Sequence, residues 1–181
     1  SESVAYEKQE VSPFEMKLIN ANTEYEIKSV GIASGEVVIE NTYKGLPITS
    51  IGDKAFANSY VSSIKLGDNI KSIGNSAFKN CSKLTAITLN EGLTEIGDYA
   101  FQSCSSLEKI EMPKTLLTLG EYAFSYCTAL KSVELNGGCK KISGNAFADC
   151  RSIETLEIPS GVKEIGEYAF SGNKNLAAVV L

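Results

Sequence analysis

The sequence contains no histidine and no tryptophan. Without imidazole there can be no Ser-His-Asp or Cys-His catalytic pair, and no zinc site can draw on histidine. A surplus of positive charge is also missing: 17 basic residues face 22 acidic ones, for a net charge of −5. Nucleic acid and anionic membranes call for clustered Lys and Arg, so neither is expected as the main partner. No apolar run approaches the roughly 18 residues of a membrane span, and the chain is not expected to be membrane-embedded. Its opening, Ser1 to Lys8, does not read as a signal peptide, so a secreted protein of this sequence would already have lost its leader. No nucleotide, haem or flavin motif occurs, so no cofactor is implied. The 181 residues suit one domain with a sizeable core.

What is present is a repeat. An apolar residue, a small residue, two variable residues and then Ala-Phe recur six times. The copies end at Phe56, Phe78, Phe101, Phe124, Phe147 and Phe170, at spacings of 22, 23, 23, 23 and 23. Each opens on Ile51-Gly52, Ile73-Gly74, Ile96-Gly97, Leu119-Gly120, Ile142-Ser143 or Ile165-Gly166. A second block follows each Phe and reads apolar-x-x-apolar-x-apolar, as in Leu107/Ile110/Met112. Its last two apolar positions share one face of a short strand. A Gly, Pro, Asn or Asp turn comes next, and then one more apolar residue from the column Ile48, Ile70, Leu93, Leu116, Cys139, Val162.

Such a unit cannot bury its apolar columns alone, whereas units stacked at about 4.8 Å bury one another's. The pattern predicts an α/β solenoid, a right-handed superhelix with a parallel sheet on one face and short helical turns on the other. The helical turn is expected around Ala-Phe and the next three residues. Asp53, Asn75, Asp98, Glu121 and Glu167 would lie near its start, where a helix dipole favours negative charge. The preceding Gly would allow a tight turn.

Ile96-Gly97-Asp98-Tyr99-Ala100-Phe101-Gln102-Ser103-Cys104, continuing through Leu107, Ile110 and Met112 to Pro113, resembles the leucine-rich repeat of the BspA-like bacterial surface-antigen family. The resemblance spans residues 37–181. It implies a leucine-rich-repeat solenoid on an extracellular or cell-surface protein. Further implied are adhesion and binding of host proteins, such as an extracellular matrix or plasma protein, often as one module of a larger protein, and no catalysis.

The expected organisation is an N-terminal tail and capping hairpin over 1–36 and a leucine-rich-repeat domain over 37–181. Phe14, Met16 and Leu18 alternate, as do Tyr25 and Ile27, with a turn-like Asn20-Ala21-Asn22 between them; this reads as a hairpin over the first coil. Val37-Val38-Ile39 reads as the first sheet strand, residues 41–47 as a long loop, and residues 1 to about 12 as a mobile polar tail. The chain ends on the uncapped strand Ala177 to Leu181, which is expected to pack on a second copy or a following segment.

Cys81, Cys104, Cys127 and Cys150 each follow the repeat Phe by three residues and read as small core fillers rather than disulfides, because parallel Cβ vectors suit a bridge poorly. Cys139 falls in the apolar column. The outward column of the sheet is Lys65, Thr88, Glu111, Glu134, Glu157 and Val180. Three glutamates in register form an acidic stripe that could receive a basic patch or a cation such as Ca²⁺, or stand solvated beside Lys109, Lys131 and Lys65. Tyr99 and Tyr122, on adjacent coils, could form an aromatic contact patch. The expected function is a non-catalytic protein-binding or adhesion module that presents this sheet face. The alternatives are a structural spacer and a carboxylate hydrolase using Glu111 and Glu134, although a regular stripe gives those two acids one environment and no cleft.

Overall fold

The computed structural model describes residues 14–31 and 33–181; the expected mobile tail lies outside them. Each repeat closes one coil with a strand on two of its sides. The apolar block after each Phe forms β6 (Tyr60–Lys65), β8 (Ala86–Thr88), β10 (Lys109–Glu111), β12 (Ser132–Glu134), β14 (Thr155–Glu157) and β16 (Ala178–Val180). The segment leading into each Ile-Gly forms β5 (Leu46–Ile51), β7 (Ser72–Ile73), β9 (Glu95–Ile96), β11 (Thr118–Leu119), β13 (Lys141–Ile142) and β15 (Glu164–Ile165). Paired strands of successive coils run parallel. The second sheet escapes sequence reading because a two-residue strand has no alternation to display.

At the N-terminal end, β1 (Glu15–Ile19) and β2 (Glu24–Ser29) form the expected antiparallel hairpin. Its turn holds Asn20, Ala21 and Asn22 at φ 49°, 54° and 66°. Beyond covering the first coil, the hairpin joins the second sheet, since β2 pairs in parallel with β5. Phe14 packs edge-on against Phe56 at 5.9 Å. β3 (Ser34–Val38) pairs with β6, as the Val37-Val38 pattern anticipates. The expected loop over 41–47 is instead a tight hairpin: β4 (Thr42–Tyr43) turns back on β5 through Lys44 and Gly45. Both of these residues have positive φ, as a type I′ turn needs.

The core is a column of phenylalanine rings. Neighbours from Phe56 to Phe124 stack at 4.9 to 5.0 Å, and those from Phe124 to Phe170 at 5.4 and 5.7 Å. The first five rings are fully buried, while Phe170, on the last coil, is half-buried.

The expected helical turns do not form: no helix occurs among the described residues. Each Ala-Phe segment is a ribbon of successive β-turns. Ala55, Ala57 and Ser59 donate their amides three residues back, to Gly52, Lys54 and Phe56. Lys54, Phe56 and Asn58 donate theirs to Asn75, Ala77 and Lys79 of the next coil, at 2.7–2.9 Å. A helix would spend every amide within its own segment; here every second amide serves the stack. The geometry needs left-handed residues at two columns. Lys54, Ser76, Tyr99, Tyr122, Asn145 and Tyr168 occupy one of them, all at φ between 55° and 59°. Three of the five residues assigned to a helix dipole have another role. Asp53, Asn75 and Asp98 each accept, at 2.8 Å, the backbone amide of the equivalent residue one coil on.

The glycine before each ribbon serves close approach rather than unusual φ. A Cβ on Gly97 would sit 2.5 Å from Asn75 Oδ1 and 2.8 Å from Asn75 N. Gly74, Gly97, Gly120 and Gly166 all donate to the preceding coil, to Ile51, Ile73, Ile96 and Ile142. Ser143 holds this column without the equivalent bond, and β11 and β13 do not pair with each other. At the same boundary β12 and β14 do not pair with each other, and the ring spacing widens to 5.4 Å. The next ring pair, beside Gly166, is wider again at 5.7 Å although its strands pair, so ring spacing and strand pairing vary independently from coil to coil.

The thiols are more than fillers. All five cysteines are free and buried. Cys81, Cys104, Cys127 and Cys150 donate to the carbonyls of Phe56, Phe78, Phe101 and Phe124 at 3.0–3.2 Å. In the last coil Asn173 Nδ2 does the same for Phe147 at 2.8 Å. Burial pushes the Cys127 thiol well up and that of Cys150 to about 12, so both remain protonated donors. Among the described residues no helix is long and apolar enough to cross a membrane.

Candidate interaction face

Strands β3 to β16 of the first sheet turn alternate residues outward. Lys65, Thr88, Glu111, Glu134, Glu157 and Val180 are all exposed, with Lys65 beside Thr88, Glu111 beside Glu134 and Glu157 beside Val180. The three glutamates do not form one register, because Glu134 and Glu157 stand on β12 and β14, which do not pair with each other.

Nor is the stripe uniformly anionic. Lys109, from the neighbouring outward column, places Nζ 2.7 Å from Glu134 and 3.9 Å from Glu111. The hydrogen bond to Glu134, and then its charge, hold the Lys109 ammonium above its ordinary range. Lys131 lies 3.8 Å from Glu108. Glu157 makes no ion pair among the described residues. Nor does any group of three carboxylates or thiols there converge as a metal site requires. These pairs are exposed, so they set the pattern of charge on the face more than they stabilise the fold.

Two grooves cross this face. One, of about 700 Å³, lies between β8 and β10 and includes Thr88, Glu91, Glu108, Glu111 and Pro113 in its walls. The other, of about 750 Å³, lies between β12 and β14, with Lys131, Glu134, Glu157 and Pro159. They are equivalent places two coils apart, and both follow interruptions of the strand ladder. No residue pattern announces them, because the strand block is the same on either side of each interruption.

Tyr99 and Tyr122 stand on the turn ribbon and line neither groove. Their rings stack at 5.0 Å and 6°, and Lys79 Nζ sits 5.4 Å from the Tyr99 ring centre. The sequence pairs these tyrosines correctly, but they form a patch separate from the glutamates. Lys79 is the member that sequence spacing misses.

The model for the BspA type Leucine rich repeat region matches residues 49–177 in six copies. Among solved structures, a leucine-rich repeat protein of T. pallidum superimposes with a TM-score of 0.69 at 26% identity, over 90% of this chain and 87% of that one. The pneumococcal vaccine antigen PcpA gives 0.76 at 25% identity, over 92% of this chain and 47% of its own. A leucine-rich cell surface protein of Faecalibacterium prausnitzii shares the fold, with a TM-score of 0.68 at 24% identity over 99% of this chain and 55% of its own. The chain thus spans about half the length of the latter two. Comparison with curated proteins finds no match. Six stacked Ala-Phe coils and a repeat match reaching from the first of them to the last place the chain in the BspA-type leucine-rich repeat family.

Proposed function

We propose that this chain is a non-catalytic protein-binding module of an extracellular or cell-surface protein, and that it engages a macromolecular partner through the first sheet. One observation carries this reading. The sheet exposes a face of charged and small side chains, cut by two equivalent grooves, that nothing else in the described chain covers. Two similar structures are named as a cell surface protein and a vaccine antigen, which supports the same location here. Leucine-rich-repeat folds are typically non-enzymatic, and Glu111 and Glu134 share one lysine and one solvated setting rather than the divided environments of an acid–base pair.

The test is capture of extracellular matrix and plasma proteins by the immobilised chain at low and physiological salt, beside a Glu111→Ser/Glu134→Ser/Glu157→Ser variant. Salt-sensitive capture lost in the variant supports the sheet face. Capture that survives moves the site to the Tyr99–Tyr122 patch or the ends. No capture favours a spacer role. The same preparations, weighed in solution, test self-association through the last coil, where Tyr168, Val179 and Val180 are exposed.

A further inference from the structure

The bond that ties the end of each first-sheet strand to the next coil recurs up the stack. Ile39 donates to Lys65, Leu66 to Thr88, Met112 to Glu134 and Ile158 to Val180, at 2.7–3.2 Å. It is missing at two positions. The amides of Leu89 and Leu135 have no backbone partner among the described residues. These are the seams between β8 and β10 and between β12 and β14, beneath the two grooves. Other signs mark the same places. At the first seam the bond from Glu108 N to Thr85 O is stretched to 3.4 Å; at the second, the corresponding amide of Glu154 makes no such bond. Each groove therefore combines an unbonded backbone N–H with flanking carboxylates and a proline wall, Pro113 in one and Pro159 in the other.

We propose that the two grooves are paired subsites for one ligand class: an extended basic polypeptide in the polyproline II conformation, with Lys or Arg at every third position. This rests on the protein-binding reading of the sheet face. The grooves are two coils apart, and the ring spacings of 4.9 and 5.4 Å across the coils between them set their separation at about 10 Å. A β-strand places residues i and i+3 about 10 Å apart, but on opposite faces. Polyproline II advances about 3.1 Å per residue with three residues per turn, so i and i+3 lie about 9.3 Å apart on the same face. Its backbone carries no internal hydrogen bonds, which leaves carbonyls for the amides of Leu89 and Leu135. The charge selects the side chain: Glu91, Glu108, Glu111, Glu134 and Glu157 line the grooves against Lys109 and Lys131.

Fluorescence anisotropy with the full chain tests this, using labelled (Lys-Pro-Pro)₄ and the isomeric Lys₄Pro₈. The periodic peptide is expected to bind about tenfold more tightly. Glu157→Gln, which alters the second groove alone and breaks no ion pair among the described residues, is expected to remove most of that preference while leaving single-site binding at the first groove. Glu111→Gln/Glu157→Gln is expected to abolish binding of both peptides. Equal binding of the two peptides would overturn the period while leaving an acidic protein-binding face. A preference unmoved by Glu157→Gln would overturn the paired use of the two grooves. If neither peptide bound while a matrix or plasma protein was still captured through the glutamates, the ligand class would be overturned and the broader reading kept. Failure of both would remove both.

Discussion

Replacing Gly97 by alanine would put a methyl group 2.5 Å from Asn75 Oδ1, 2.8 Å from Asn75 N and 2.9 Å from Gly74 C. Two of these neighbours are backbone, so the coils must part. Overpacking of this kind costs about 1–3 kcal/mol. Parting would also weaken two bonds, Gly97 N to Ile73 O at 2.9 Å and Asp98 N to Asn75 Oδ1 at 2.8 Å. Each is worth about 1 kcal/mol. The stiffer unfolded chain returns about 0.4–1 kcal/mol, for a net loss of about 2–4 kcal/mol. Urea unfolding measures it, with Gly137→Ala as the comparison. At Gly137 a Cβ meets only Pro159 Cβ at 3.9 Å, and alanine there should be neutral or mildly stabilising. Hydrogen exchange should show the Gly97→Ala amides of residues 97 and 98 losing protection, toward the state of Ser143, whose amide lacks the equivalent bond. If Gly97→Ala were no worse than Gly137→Ala, glycine would not be setting the close approach of the coils, and the reasoning would be refuted.

Phe124→Ala should cost about 3–5 kcal/mol, because the ring is fully buried between two others, and Phe170→Ala clearly less; equal losses in urea unfolding would contradict a stacked core. Cys127→Ser should retain more stability than Cys127→Ala, since a hydroxyl can still donate to Phe101 O, whereas a pure space-filling role would reverse the order in the same assay. The Glu24 carboxyl is held below its ordinary 4.5 by the Thr49 hydroxyl, then by Asn20 and Lys71. A lowered folded value gives stabilisation that is present above 4.5 and lost as pH falls through that lower value. Protection of the β1 and β2 amides, taken relative to their intrinsic exchange rates at each pH, should therefore fall in acid, and Glu24→Gln should flatten that step; an unchanged profile in the variant would refute it.

The architecture was legible because repetition multiplies a weak local signal. Six Ala-Phe pairs and the alternating block that follows each of them specify a stacked ring column and one parallel sheet, whatever single residues prefer. The N-terminal hairpin was legible from Phe14, Met16 and Leu18 for the same reason of period. Tyr99 and Tyr122 could be paired by spacing alone, since residues 23 apart stand on neighbouring coils.

Other features depend on groups that meet only after stacking. Tyr122 and Lys54 carry no local mark of left-handed backbone; they adopt it because the next coil offers carbonyls to alternate amides, which is also why no helix forms. Asp98 looks like a helix acid until the amide of Glu121 arrives beside it. Lys109 pairs with Glu111 and Glu134 from a neighbouring column, a pairing fixed by side-chain reach rather than by period. The seams at Leu89 and Leu135 interrupt strands whose sequences match their unbroken neighbours. Composition and period determined the solenoid, its core and the residues it turns outward. Which of those residues face open backbone, and which face a counter-charge, was decided by the tenths of an ångström between coils, because hydrogen bonds and steric contacts change steeply over that distance.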